Sequence, residues 1–207
     1  NQIYVGAGCL NANLATFCQM KGIGGLEFLS GIPGTIGGAV AMNAGAYSSE
    51  TKDNLISARA IDRNGNIKEL SNTDFGYKYR GHNLSGQHFF TSAIFKYNSA
   101  SNEEVAANMA KIKEQREASQ PIRGQTGGST FVNPEGKKAW QLIDEAGCRG
   151  LIIGGAQCSG KHCNFLLNTG DATAKDIEDL GEEIRKRVKE NSGIELKWEV
   201  KIVGEKL

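Results

Sequence analysis

The segment Gly124-Gln-Thr-Gly-Gly-Ser-Thr-Phe-Val-Asn-Pro134 presents a hydroxyl, Ser129, directly after paired glycines and just before an Asn-Pro step. A free serine hydroxyl is a poor acid, so it moves a proton only where neighbours hold and polarise it. Paired glycines let the backbone approach a ligand or take a positive φ. Asn-Pro breaks regular structure and can seat the next helix. Ser129 is therefore expected on a tight loop, where function tends to be placed. The motif alone is ambiguous, because a serine in a glycine-rich turn is more often a turn residue than a proton donor.

A second cluster, Cys158, His162 and Cys163, invites a zinc reading. It lacks a C-x-x-C pair and a second ligand pair, so no metal site is assigned. The five cysteines are an odd, scattered set, which forms no disulfide framework and fits a reducing cytoplasm. Glycine, 27 residues against three prolines, concentrates at 22–45, 124–128 and 147–155, as loops that approach a large ligand would. The 207 residues suit one large domain or two small ones. A net charge of +1 provides no bulk field for nucleic acid or an anionic membrane. No apolar run approaches the roughly 20 residues that span a bilayer.

The elements that must position these groups read as an α+β chain. Ile3-Tyr-Val is a strand end. Asn11 or Asn13 caps a helix with Leu14, Phe17 and Cys18 on one face, ending at Gly22. Residues 22–46 are apolar and glycine-rich, neither regular strand nor surface helix, and suit a backbone-lined ligand cradle. Strands at 54–62 and 67–70 flank an Asn64-Gly65 hairpin turn. A further strand, 89–97, precedes a polar junction and a helix with Val105, Met109, Ile112 and Arg116 on one stripe. Pro134 to Ala146 reads as a helix with Gly147 as its C′ residue. Strands at 151–153 and 164–168 flank a polar loop. Thr173-x-x-Asp176 is a capping box opening a helix with Ile177, Leu180, Ile184 and Val188 inward, and the chain closes on a strand at 199–203.

Five segments, in order and with matching spacing, resemble the UDP-N-acetylenolpyruvoylglucosamine reductases. They are Gly31-Ile-Pro-Gly-Thr-Ile-Gly-Gly-Ala39 with Met42-Asn-Ala-Gly-Ala-Tyr47; Tyr79-Arg80; Gly128-Ser-Thr-Phe-Val-Asn-Pro134; Lys161-His-Cys-Asn-Phe-Leu-Leu-Asn168; and Gly193-Ile-Glu-Leu-Lys-Trp-Glu-Val-Lys-Ile-Val-Gly204. The resemblance implies the second lobe of a two-lobed FAD-binding domain at 1–100, followed by a substrate-binding C-terminal domain at 101–207. The family's first flavin lobe is expected to be absent. The Arg80-to-Ser129 interval implies the shorter subtype, which lacks a tyrosine-bearing lid loop.

The reaction so implied is reduction of an enol ether in peptidoglycan precursor synthesis. NADPH supplies a hydride through FAD to UDP-GlcNAc-enolpyruvate, and the carbon beside the carboxylate must be protonated. Charge develops on an enolate, so the site needs a fixed cation and a proton donor. Ser129 matches the family's proton donor, Arg80 its catalytic arginine and Glu199 a glutamate acting with that arginine on the carboxylate. Asn133, Arg149 and His162 fall on substrate-contacting positions. Pro33, Gly34, Thr35, Gly37, Gly38, Asn43 and Gly45 are the FAD candidates, all but the proline through backbone N–H groups facing the pyrophosphate or the ring carbonyls. Each has a plainer alternative. Arginine is usually solvated, glutamate on a strand often faces solvent, and glycine also serves tight packing. The family often has serine where His82 stands and lysine where Val132 stands. Partners are expected to be the nucleotide-sugar and NADPH, with no nucleic acid and no membrane, for a cytoplasmic monomer. Two rival readings are a flavin oxidase of the same two-lobed fold and a non-catalytic nucleotide-sugar-binding fragment that binds FAD weakly or not at all.

Overall fold

The computed structural model describes residues 1–204. By contacts the chain divides into two compact units, 1–116 and 117–207.

The first unit runs β1 (Gln2–Gly6), α1 (Asn11–Lys21), β2 (Ile23–Gly24), a 3₁₀ turn (Glu27–Gly31), α2 (Ile36–Met42), β3 (Gly45–Ala46), β4 (Ser49–Glu50), α3 (Thr51–Asn54), β5 (Leu55–Asp62), β6 (Ile67–Ser71), a second 3₁₀ turn (Asn72–Phe75), β7 (His88–Lys96), β8 (Asn98–Ser99) and most of α4 (Asn102–Ser119). Its main sheet is antiparallel in the order β1-β7-β5-β6. The Asn64-Gly65 turn forms as expected, with Gly65 at φ +83° and the Asp62 carboxylate accepting from the Asn64 and Asn66 amides. The core gathers Leu14, Cys18, Leu26, Leu29, Ile36, Val40, Phe75 and Phe95. Helix α1 ends at Gly22 as expected, but its N-cap is Leu10, not an asparagine. Asn11 lies inside the helix, is buried and donates to the Ile32 carbonyl. Phe17, expected on the inward face, is 42% exposed.

Helix α4 shows the expected stripe, with Val105 and Ile112 buried. Its Asn102 donates to Met20 O and its Asn108 to Glu27, so the helix packs with the residues before it. The contact division accordingly falls near the helix's end, later than residue 100.

The second unit contains β9 (Gln125–Ser129), α5 (Ala139–Glu145), β10 (Ile152–Ile153), β11 (Ala156–Cys158), β12 (Phe165–Asn168) and α6 (Ala174–Ser192). The sheet order is β10-β11-β12-β9, all antiparallel. Helix α6 opens on the Thr173/Asp176 capping box and buries Leu180, Ile184 and Val188 against the sheet; each such burial is worth about 1.5–3 kcal/mol.

Three sequence expectations need correction here. Helix α5 starts at Ala139, not Pro134, because Pro134–Lys137 closes a turn with Gly136 at φ +66°. The loop expected between two strands contains β11, turned from β10 at Gly154-Gly155. The closing strand at 199–203 does not form. Val203 is 91% exposed and Ile202 54%, so the alternating pattern has no core to face. The pairing shifts upstream instead, to a bridge between Phe131 and Trp198.

Candidate active site

In the second unit, the loop after β9 is built from the inside outward. Asn164 is buried, and its side chain substitutes for a neighbouring strand. Its Oδ1 accepts from Phe131 N (2.9 Å) and its Nδ2 donates to Phe131 O (2.8 Å), while Thr130 N donates to Asn164 O (2.8 Å). Gly128 at φ +89° bends the strand just ahead of Ser129, a conformation glycine takes without steric cost. Ser129 itself pairs with Phe165 of β12. On the other side of the loop, Glu199 N donates to Thr130 O at 2.8 Å and Val132 N to Lys197 O at 2.9 Å. Ser129 and Glu199, 70 positions apart in sequence, thus flank Thr130 on adjacent segments of backbone.

Asn133 and His162 belong to the same neighbourhood. Asn133 Oδ1 accepts from Ala139 N at 2.9 Å, capping α5. His162 packs edge-on to Phe165, with ring centroids 4.8 Å apart. Burial pushes its pKa below the ordinary imidazole value, with the nearby Arg149 charge acting the same way. Arg149 is differently engaged: its Nε and Nη2 grip the Asp144 carboxylate at 2.8 and 2.6 Å, and its Nη1 donates to Gly160 O. That pairing holds Asp144 well below the usual carboxylate range. The sequence reading did not single out the cations of a neighbouring cavity of about 630 Å³, lined by Arg123 and Lys161 with Pro121, Ile122 and Leu167. Lys161 Nζ donates to the carbonyl of Glu117, another residue of the lining. The Pro-x-x-Gly turn at 121–124, bonded from Gly124 N to Pro121 O, was the available signal.

Cys158 and Cys163 are buried in the core, with Cys158 Sγ donating to Cys163 O. Burial, with Cys163 beside it, pushes the Cys158 thiol up to about 12. Among the described residues no group of three His, Cys, Asp or Glu is arranged to hold a metal.

In the first unit, Arg80 sits in a tight turn closed by Lys78 N to Gly81 O at 2.9 Å and Gly81 N to Lys78 O at 3.3 Å. Its φ is +56°, a left-handed conformation that is strained for a side chain with a Cβ. The guanidinium donates to Gly45 O at 3.1 Å and lies 4.7 Å from the centroid of the Tyr79 ring.

The turn is tied down by Asn43, which is completely buried. Asn43 Nδ2 donates to Glu50 Oε2 (3.1 Å) and Lys78 O (3.3 Å), and its Oδ1 accepts from Lys52 N (3.0 Å). Burial alone would raise the Glu50 pKa, but bonds from Lys52 and Asn43 and the charges of Lys52 and Arg80 bring it below the ordinary value.

The flavin candidates divide by environment. Pro33, Gly34 and Gly38 are exposed, and nothing lies within 4 Å of a Cβ built on Gly34. With Thr35 they lie at the start of α2. Gly37 and Gly45 are explained by close packing: a Cβ would stand 3.0 Å from Ala7 Cβ and 2.7 Å from Glu50 Cγ respectively. The N–H groups of Ile36 and Gly37 donate to Cys9 O and Ala7 O, and that of Gly38 to Thr35 Oγ1. The candidate N–H groups of Gly37 and Gly38 thus have acceptors within the chain. The Asn43 carboxamide is likewise engaged internally.

The fold defines a two-unit α+β chain with a glycine-rich segment at the start of α2 in one unit and a serine loop paired to the Glu199 segment in the other. Residues 1–71 match the model of the FAD binding domain, and residues 120–203 that of the UDP-N-acetylenolpyruvoylglucosamine reductase C-terminal domain. UDP-N-acetylenolpyruvoylglucosamine reductase of Rickettsia akari (strain Hartford) is 55% identical over 204 residues, covering 99% of this chain and 69% of that protein. The Rickettsia prowazekii (strain Madrid E) protein of the same name is 52% identical with the same coverage. The crystal structure of UDP-N-acetylenolpyruvylglucosamine reductase (MurB) from Thermus caldophilus superposes with a TM-score of 0.85 at 37% identity, over 95% of this chain and 71% of that one. The chain belongs to the UDP-N-acetylenolpyruvoylglucosamine reductase family.

Proposed function

We propose that the chain is the flavin- and substrate-binding part of an NADPH-dependent reductase that converts UDP-GlcNAc-enolpyruvate to UDP-N-acetylmuramate. The observation that carries this reading is the hydrogen-bonded pairing that sets Glu199 and Ser129 on either side of Thr130. It lies in a chain whose FAD-binding and reductase segments follow in the family's order.

When bound, FAD would supply the hydride chemistry that joins NADPH to the terminal enolpyruvyl carbon. The surface at Pro33, Gly34, Thr35 and Gly38 would hold it, with Gly37, Asn43 and Gly45 shaping that surface from beneath. Ser129 Oγ delivers the proton to the carbon beside the carboxylate, so that one hydride and one proton together saturate the double bond. Arg80 binds the carboxylate through its fixed guanidinium, which keeps its charge as the enolate forms. Its strained backbone and its bond to Gly45 O pre-orient it, so little reorganisation remains for the reaction step. Glu199 would help to polarise the substrate carboxylate.

Asn133 and His162 line the sugar side. Arg149 would meet the diphosphate while its other edge holds Asp144, and Arg123 and Lys161, which line a cavity with Glu117, are further cations for that anion. A monomer and a cytoplasmic location complete the reading. No helix among the described residues is long and apolar enough to cross a membrane.

The test mixes the enzyme that carries this chain with FAD, NADPH and the enolpyruvyl nucleotide-sugar. NADPH oxidation that depends on the sugar supports the assignment. Oxidation indifferent to the sugar, with rapid reoxidation by air and peroxide release, points to an oxidase and ends it.

A further inference from the structure

Trp198 immediately precedes Glu199, and the structure shows an unusual seat for it. Gly181 lies in the middle of α6, where glycine costs helix stability. A Cβ on Gly181 would stand 2.0 Å from Trp198 Cη2 and 2.7 Å from its Cζ2, so the missing side chain is the space the indole fills. The indole is fixed from three directions. Its edge enters the Gly181 gap, its Nε1 donates to Glu182 Oε1 at 3.0 Å, and its ring meets Phe131 with centroids 4.9 Å apart. Phe131 is 1% exposed and belongs to the loop that follows Ser129. The Phe131–Trp198 bridge is flanked on one side by Val132 N to Lys197 O and on the other by Glu199 N to Thr130 O.

We propose that Trp198 is a positioning residue, a latch that locks the register between the Ser129 loop and the Glu199 segment, with Gly181 as its socket. The catalytic roles of Ser129 and Glu199 rest on the function proposed above; the latch does not. Among the described residues beyond Val200 none is in a helix or strand, and Ile202 and Val203 are exposed, so Trp198 is the anchor nearest Glu199 from that segment. A one-residue slip there would turn the Glu199 side chain to the other face of its segment. The inward-facing Trp198 would move with it.

Two variants reach the latch by independent routes. Trp198→Leu keeps apolar volume but removes the ring and its N–H. Gly181→Ala keeps the tryptophan and closes its socket. Trp198→Phe, which retains an aromatic ring on Phe131, is the conservative control. In the full enzyme, hydrogen exchange at Val132 and Glu199 is expected to quicken by about tenfold or more in the first two variants, while α6 amides near Ile184 keep their protection. Single-turnover reduction of the enolpyruvyl sugar falls about 10- to 100-fold, flavin reduction by NADPH is unchanged, and Trp198→Phe recovers most of the loss.

Unchanged protection at Val132 and Glu199 in both variants overturns the latch. Lost protection with an undiminished sugar half-reaction overturns its positioning role. If the wild-type enzyme shows no turnover on the enolpyruvyl sugar, the proposed function fails, and amide exchange alone still decides the latch.

Discussion

Replacing Asn43 should loosen the Arg80 turn from 35 residues away in sequence. The side chain is fully buried and makes three bonds, two donated by Nδ2 and one accepted by Oδ1. Losing three bonds at about 1 kcal/mol each, one of them to a charged carboxylate, costs about 3 kcal/mol. Asn43 also caps α2 at φ +42°, where alanine adds about 1 kcal/mol of backbone strain and glycine adds none. Asn43→Ala should therefore destabilise the first unit by about 4 kcal/mol, a large part of the 5–15 kcal/mol typical of a domain. Asn43→Gly should be milder by about 1 kcal/mol. Hydrogen exchange read by mass spectrometry on peptides spanning 36–54 and 76–81 measures this directly, and about 4 kcal/mol corresponds to a roughly thousandfold loss of protection. A change below about 1 kcal/mol in Asn43→Ala, or identical behaviour of the alanine and glycine variants, would refute the hub assigned to this side chain.

Further outcomes follow from the same geometry. Arg80→Gly removes the left-handed strain but also the guanidinium's bond to Gly45 O and its contact with the Tyr79 ring, so thermal stability should change little, within about 1 kcal/mol either way, while substrate reduction collapses; a strongly destabilised variant would contradict the strain. Glu50 is held below its ordinary value of 4.5 in the folded chain, so its contribution is present above that value and lost as pH falls through the depressed one. Asn43→Ala should move that carboxyl upward, which an NMR titration of Glu50 reads; an unmoved value would remove Asn43 from its causes. Native alkylation should label Cys9, the half-buried thiol, and spare Cys18, Cys148, Cys158 and Cys163, whose pKa values burial raises. Mass spectrometry counts the labels, and rapid modification of any of those four would overturn the burial argument.

Local chemistry made much of the fold legible. Asn64-Gly65 announced its hairpin, Thr173-x-x-Asp176 its helix, and Gly22 and Gly147 their helix ends, because each signal acts within a few residues. The errors arose where distant packing decided. Nothing near Phe17 says that no partner covers it. The apolar residues of 199–203 read as a strand until Trp198 is seen to occupy the gap at Gly181, a contact across 17 positions. Of the candidate site, the types of Ser129, Arg80 and Glu199 were visible through family resemblance. That Asn164 would scaffold the serine loop, that Asn43 would face inward, and that Arg149 would be gripped by Asp144 depended on tertiary contacts no periodicity encodes.

The central claim is that Ser129 supplies the proton for enolpyruvyl reduction. Stopped-flow spectroscopy of the Ser129→Ala enzyme separates the two half-reactions by flavin absorbance. Bleaching by NADPH should proceed at the wild-type rate, while reoxidation by the enolpyruvyl nucleotide-sugar should slow by about 10²- to 10⁴-fold. Reoxidation at the wild-type rate would show that the proton comes from elsewhere.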